Sequence, residues 1–439
     1  MRADTAVAPK GFPTARTGVA WALYDWANSA FTTLVVTFVY AAYFTAAIAP
    51  DEVTGTGQWS RAVAVSGITI ALLSPLLGAM ADRSGHRRRY LAAATWICCA
   101  ATAALTFVSP GMEHAVLLAL VLFTVANVAF ELGGVFYNAF LPEIAPKERM
   151  GRMSGWAWGL GYAGGLVCLA LALLVLVRDD PLFRVSTEAG FNYRATNLLV
   201  AAWFLVFSLP LLAMAPRQRR GATAGEGPSG AYRALLHTLR KLRNYREIVR
   251  LLVARLVYND GLVTVFSFGG IYAAGTFGLS LSEVIVFGIA INVAAGLGAA
   301  LFGFVDDRIG ARTTILVSLV ALTGATLLAT FAPTVTWLWV SAIALGIFVG
   351  PNQAASRSLL ARFVPERQST EFFGFFAFSG KITAFLGPLL FGLATEAFDS
   401  QRAGVATVAP FFVIGGLLLL TVNEERGIAA SRDGAETSS

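Results

Sequence analysis

The sequence predicts an all-α membrane protein in which twelve transmembrane helices form two related six-helix bundles. Three observations lead there. Of the 439 residues, 56% are hydrophobic and only 13% charged, whereas soluble domains carry about 25% charged residues. Apolar runs of about 20 residues, the length needed to cross about 30 Å of hydrocarbon, recur along the whole chain. A polar motif in the first half also reappears in the second.

The apolar runs lie at 19–48, 62–81, 90–108, 115–141, 154–177, 196–215, 248–275, 283–305, 313–331, 336–356, 371–396 and 405–423. Met1 to Thr17 has no apolar core of the signal-peptide kind, so the first span is expected to serve as the targeting signal. Lys and Arg concentrate before the first span, in alternate loops and after the last span. That asymmetry predicts both termini on the cytoplasmic side of a plasma (inner) membrane, in a bacterium given the preference for Arg over Lys. It also accounts for the net charge of +7 without a nucleic-acid partner.

GAMADRSGHRRR follows span 2 and GFVDDRIGARTT follows span 8. At one fixed offset Gly78, Asp82, Arg83, Gly85 and Arg87 recur as Gly303, Asp307, Arg308, Gly310 and Arg312. APKERMGRMSG after span 4 echoes VPERQSTEFFG after span 10, with Glu148, Arg149 and Gly155 answering Glu366, Arg367 and Gly374. The chain therefore divides into an N-terminal bundle (1–215), a cytoplasmic linker (216–247), and a C-terminal bundle with a short polar tail (248–439). Internal duplication of this kind marks secondary transporters. The linker opens with Gly-rich RQRRGATAGEGPSG and continues as YRALLHTLRKLRNYREIV. There Leu235, Leu239, Leu242 and Val249 share one face among basic residues, the pattern of a helix lying on the inner leaflet.

The duplicated G-x-x-x-D-R-x-G-x-R signature resembles that of the major facilitator superfamily, over nearly the whole chain. YDWANSAF in span 1, VFYNAFLPEI at the end of span 4 and RLVYNDG in span 7 resemble, more narrowly, the autophagy-related vacuolar amino-acid effluxer branch and its bacterial relatives. The resemblance implies the major facilitator fold, with spans 1, 4, 7 and 10 around a central cavity. It also implies that the signature loops act as conformational latches, in which Asp82 and Asp307 brace helix ends and pair with nearby Arg side chains.

Polar residues inside the spans locate the pathway, because a charge at mid-membrane costs about 2.5–3.5 kcal/mol unless it faces a cavity or finds a partner. Asp25 lies roughly 10 Å into span 1 at 1.5 Å per residue, and Asn28, Ser29, Thr32, Val36 and Tyr43 fall on its face at helical spacing. Span 4 aligns Asn127, Glu131 and Asn138. Span 7 carries Tyr258, Asn259 and Asp260, with Thr264 and Ser267 on the Asp260 face. Arg255 is expected either to reach another span or to extend to the interface. Span 10 adds Asn352 and Gln353, and span 11 adds Lys381. Asp25, Glu131 and Asp260 outnumber Arg255 and Lys381, leaving one acid unpaired. Glu131, or else Asp25, is the expected proton carrier, and Lys381 the expected site for an anionic group of the solute.

These residues predict a proton-coupled secondary transporter of a small polar solute, working by alternating access as a monomer in the lipid bilayer; by resemblance the solute is an amino acid or similar compound that is exported or effluxed. The competing readings are an amphiphile or drug exporter and a non-transporting receptor or scaffold of the same fold. No cofactor or metal is expected. Cys98, Cys99 and Cys168 lie in apolar spans, and His86, His114 and His237 lack metal-ligand spacing. GLGYAG (Gly159 to Gly164) fits a dinucleotide fingerprint only in letters, since it lies inside span 5, where small residues serve helix packing. No nucleotide-hydrolysis or hydrolase motif occurs, so an enzyme is not expected.

Overall fold

The computed structural model describes residues 15–177, 185–216 and 245–436. The amphipathic linker read at Tyr232 to Val249 lies outside them as far as Asn244. In the first half, α1 spans Ala15–Ile48, α2 Glu52–Ser84, α3 Arg87–Leu105, α4 Ala115–Asn138, α5 Met150–Ala172 and α6 Phe191–Met214. In the second, α7 spans Arg246–Phe277, α8 Leu281–Ile309, α9 Ala311–Thr330 and α10 Val335–Phe363. Then α11 runs as Ser369–Lys381 and Leu386–Ala397, and α12 as Gln401–Leu420. A polar helix, α13, follows at Glu424–Glu436.

Eleven helices among the described residues are long and apolar enough to cross a membrane. The remaining predicted span is α3, whose apolarity is diluted by its basic first turn, Arg87 to Tyr90. Apolar side chains such as Leu72, Leu301, Val320 and Leu417 point outward around the bundle, as helices solvated by lipid require.

Three spans depart from the expected regular form, span 5 by a π-helical end at Leu173–Val177 after α5. From Phe31 to Phe38, and again from Phe44 to Ile48, α1 has the wide turns of a π-helix. The Thr37 hydroxyl donates to the carbonyl of Thr32, five residues back, at 2.9 Å. β-Branched residues crowd this run and resist the tighter turn. The wide turns move every later side chain off the face reckoned at 100° per residue, so Tyr43 leaves the Asp25 stripe. It donates instead to the Ala189 carbonyl at 2.8 Å. Span 11 was expected to be continuous, but it breaks between Lys381 and Leu386.

The two halves meet along glycine-lined seams. A Cβ on Gly78 of α2 would collide with the Thr370 carbonyl of α11, and one on Gly374 with the Ser74 carbonyl of α2. On the other side, Gly155 of α5 abuts the Ala299 carbonyl of α8, and Gly303 of α8 abuts the Gly151 carbonyl of α5. All four approaches fall in the halves of these helices nearest the signature loops, so that end of the molecule is shut. Only glycine permits backbone contact this close. Gly155→Val should lower the melting temperature of the purified protein, since overpacking against backbone costs about 1–3 kcal/mol. An unchanged melting temperature would contradict this packing.

Candidate functional site

The signature residues tie each half to the other. Asp82, at the end of α2, accepts the Glu371 N–H at 2.9 Å and the Thr370 hydroxyl, both in the first turn of α11. Asp307, at the end of α8, accepts the Gly151 N–H at 2.9 Å and the Arg152 N–H at 3.3 Å, both in the first turn of α5. Each carboxylate thus rests on free N–H groups at a helix N-terminus, where negative charge is favoured. Arg87 pairs with Asp82 at 3.0 Å and Glu143 at 2.7 Å, and donates across the seam to Ser369 and Thr370. Arg152 pairs with Asp307 at 2.9 Å.

The duplication is not obeyed by every residue. Arg312, the counterpart of Arg87, stays within its own half and donates to the Leu419 and Leu420 carbonyls of α12. Arg362 of α10 takes up the acids instead, meeting Asp306 at 2.7 Å, Asp307 at 3.5 Å and Glu424 of α13 at 3.2 Å. Gly85 and Gly310 hold left-handed φ values of 66° and 88° that turn the chain into α3 and α9. Arg83 is half-buried at the end of α2, and Arg308 is exposed.

Deeper in the molecule, Asp25 pairs with Arg357 of α10, Oδ2 to Nη1, at 2.9 Å. The Arg357 side chain is 3% exposed and that of Asp25 13%. Every described polar partner of this guanidinium comes from the opposite half. Nε donates to the Ser154 hydroxyl at 2.8 Å, Nη2 to the Ser154 carbonyl at 2.7 Å, and Nη1 also to Asn138 Oδ1 at 3.2 Å. The rings of Trp21, Tyr137 and Trp158 lie 4.8, 5.7 and 5.6 Å from its central carbon, within cation–π range. Three helices, α1, α4 and α5, therefore form a socket for one arginine of α10. A planar fork that hydrogen-bonds at its edge and stacks on its faces suits such a site better than an ammonium.

A second pair crosses the same boundary. Glu131 of α4 meets Lys381 of α11 at 2.6 Å, with side chains 27% and 32% exposed. Lys381 ends the first piece of α11, beside the break. Arg255 of α7 reaches another span rather than the interface. It is buried, donates to the Phe376 carbonyl at 2.7 Å and the Ser379 hydroxyl at 3.1 Å, and lies over the Phe376 ring. Asn259 donates to the Gly380 carbonyl at 3.1 Å.

Other expected pathway residues make their described side-chain hydrogen bonds within one half. Asn127 binds Ser66 of α2 at 2.8 Å, Tyr258 binds Ser356 at 2.8 Å and Asn352 binds Ser318 of α9 at 3.1 Å. Asn28 is buried beside Ser29, Thr32 donates to the Ser29 carbonyl, and Gln353 is half-buried. Asp260 does not join the other two acids, being only 1% exposed in the seam between α7 and the broken part of α11. An acid without a basic partner does remain among the described residues, but it is Asp260 rather than Glu131 or Asp25, because Arg357, which the charge count omitted, takes Asp25 while Arg255 bonds to Phe376 and Ser379. The apolar run ends near 356, whereas α10 continues to Phe363. The offset joining Gly155 to Gly374 could have flagged it, since it places Arg357 opposite Asn138.

A family model described as vacuole effluxer Atg22 like matches residues 58–432, most of the chain. The protein belongs to the Atg22-like family. The MFS-type transporter YxiO of Bacillus subtilis (strain 168), itself described as uncharacterized, is 29% identical over 94% of this chain and 96% of its own length. Autophagy-related protein 22-1 of Aspergillus niger is 23% identical over 63% of this chain, but only 48% of the fungal protein is spanned. The proton:xylose symporter XylE superposes with a TM-score of 0.73 at 13% identity, over 94% of this chain and 96% of that one. The transporter FucP, in its outward conformation, gives 0.72 at 13% identity, over 93% and 98%. The fold is that of the major facilitator superfamily, and the Atg22-like family is one of membrane transporters, not enzymes.

In this Atg22-like protein, Arg357→Gln should destabilise strongly, by about 3–5 kcal/mol, because it strands a buried carboxylate. The double variant Asp25→Asn, Arg357→Gln should recover more than half of that loss. Thermal unfolding of Arg357→Gln, of Asp25→Asn and of the double variant checks it, and losses that simply add would show that the pair is not coupled.

Proposed function

We propose that the protein is a proton-coupled secondary transporter that moves a small polar solute of the amino-acid class by alternating access, as a monomer in a bacterial inner membrane. The observation that supports this most is the placement of two ion pairs, Asp25–Arg357 and Glu131–Lys381, across the boundary between the halves. A pair within one half would serve stability alone. A pair between halves must break, exchange partners or be neutralised whenever that boundary opens.

The signature loops are assigned to the cytoplasm, following the distribution of Lys and Arg, which places both termini there. On that assignment the shut end faces the cytoplasm, which supports entry of the solute from the opposite side of the membrane. Solute enters toward Glu131 and Lys381, whose partial exposure leaves them accessible. The Lys381 ammonium receives the solute carboxylate, and Glu131 is freed to receive its ammonium. Opening the cytoplasmic end withdraws Arg357 from its socket, and Asp25 then binds a proton in place of the guanidinium. The acid is neutral while unpaired, so no bare carboxylate is left in an apolar setting. The family description, vacuole effluxer, supports efflux of the solute as the direction of transport.

Proteoliposomes loaded with a pH-sensitive dye test the reading. Addition of an amino-acid mixture should drive proton movement in the wild type. Glu131→Gln should abolish solute binding, and Asp25→Asn should leave solute exchange but lose at least about tenfold in solute-driven proton flux, the scale of one broken charge-assisted bond. Proton flux that survives Asp25→Asn unchanged would remove Asp25 as the carrier.

A further inference from the structure

Five arginines are buried among the described residues, and they differ in what neutralises them. Arg87, Arg357 and Arg362 pair with carboxylates. Arg255 stands in the field of Glu131, and two acceptors take its Nη1. Arg194 is different. It lies in the first turn of α6, at the end opposite the signature loops, and pairs with no carboxylate among the described residues. It is 8% exposed, its Nη1 donates to the Thr106 carbonyl just past α3 at 3.1 Å, and the Phe191 ring lies 5.5 Å from its central carbon. Its Nε–H is buried without a partner.

A second donor stands idle beside it. Tyr40 and Tyr43 of α1 both lie in the field of this guanidinium. Tyr43 is committed to the Ala189 carbonyl. The Tyr40 hydroxyl is buried without a partner, on a side chain that is 0% exposed. The two groups do not satisfy each other, since each stands unpartnered. A charge taken out of water without a counter-charge is strongly unfavourable, and so is an idle buried donor. Nε and Nη2 form the edge with which a guanidinium grips an anion side-on. With Nη1 turned to Thr106, that edge is the one left.

We propose that Arg194 and Tyr40 hold a small monovalent anion of the halide class, with chloride as the abundant member. The Nε edge and the Tyr40 O–H donate to it, and the positive end of α6 adds to the attraction. One negative charge answers one guanidinium. The rings of Phe191, Tyr40 and Tyr43 around the site favour an ion that sheds its water readily over a strongly hydrated one such as sulfate. The bound ion ties the irregular outer stretch of α1 to α3 and α6. These helices belong to one half, so the site does not depend on the transport reading.

Thermal unfolding of the full-length protein in detergent at pH 7 tests the proposal, with sodium gluconate replaced stepwise by sodium chloride at fixed ionic strength. Chloride should raise the wild-type melting temperature by about 2–4 °C and the rise should saturate. Sulfate at the same ionic strength should give no such rise. Arg194→Gln should lose the response to chloride. Should Arg194→Gln fail to fold, Tyr40→Phe keeps the ring, removes one donor, and should raise the chloride concentration for half the shift about tenfold. Absence of a rise in the wild type, a rise that never saturates, an equal rise in Arg194→Gln, or an unchanged half-point in Tyr40→Phe overturns the proposal.

Discussion

A guanidinium buried away from water must find its charge and hydrogen-bonding partners inside the protein, and Arg357 finds all its described polar partners on the far side of the molecule's central boundary. Much else follows from that constraint. Asp25 is tolerated within an apolar helix because Arg357 reaches it. Asn138 and Ser154 are polar at helix positions that would otherwise be greasy, because they complete the fork. Trp21, Tyr137 and Trp158 provide the aromatic faces. A buried ion pair contributes little net stability, since desolvation offsets most of the attraction. Its consequence is conformational: the two halves cannot part at this end unless the charge is accommodated some other way.

The signature loops apply the same principle nearer the surface. Asp82 and Asp307 sit on the opening turns of helices from the opposite half, so the two seams close by one mechanism repeated. Glycines at the contacts bring the backbones close enough for the carboxylates to reach. Arg362 adds a third layer by joining Asp306, Asp307 and Glu424, so the polar C-terminal helix α13 is tied to the same end. Lys147, just before α5, donates to Ser431 of α13 and so links that helix to the first half as well. These contacts line the shut end near its surface, and only the Asp25–Arg357 and Glu131–Lys381 pairs reach toward the centre.

Most of the fold was legible in the sequence because lipid imposes a simple rule, an apolar stretch of fixed length per crossing, and because duplication repeats it. Asp25, Glu131 and Lys381 were legible as charges in need of a partner for the same reason, since charges inside such stretches are costly. Arg357 escaped because it lies just past the apolar run, where an arginine reads as a loop residue, and only the three-dimensional approach of α1, α4 and α5 buries it. The break after Lys381 and the wide turns of α1 escaped too. Both depend on local crowding and on neighbouring helices rather than on composition. Asp260 had the right chemistry in the right kind of helix, yet the rotation of α7 turns it toward α11, and helical spacing alone does not set that rotation.

The central claim is that the Asp25–Arg357 pair holds the signature-loop end closed. Pulsed electron-resonance distances between spin labels placed at exposed positions on the α8 and α5 ends, in lipid bilayers, measure this directly. The wild type should give a predominantly short distance at pH 7, and Asp25→Asn should add a longer population at the same pH. Identical distance distributions for the two proteins would contradict the account.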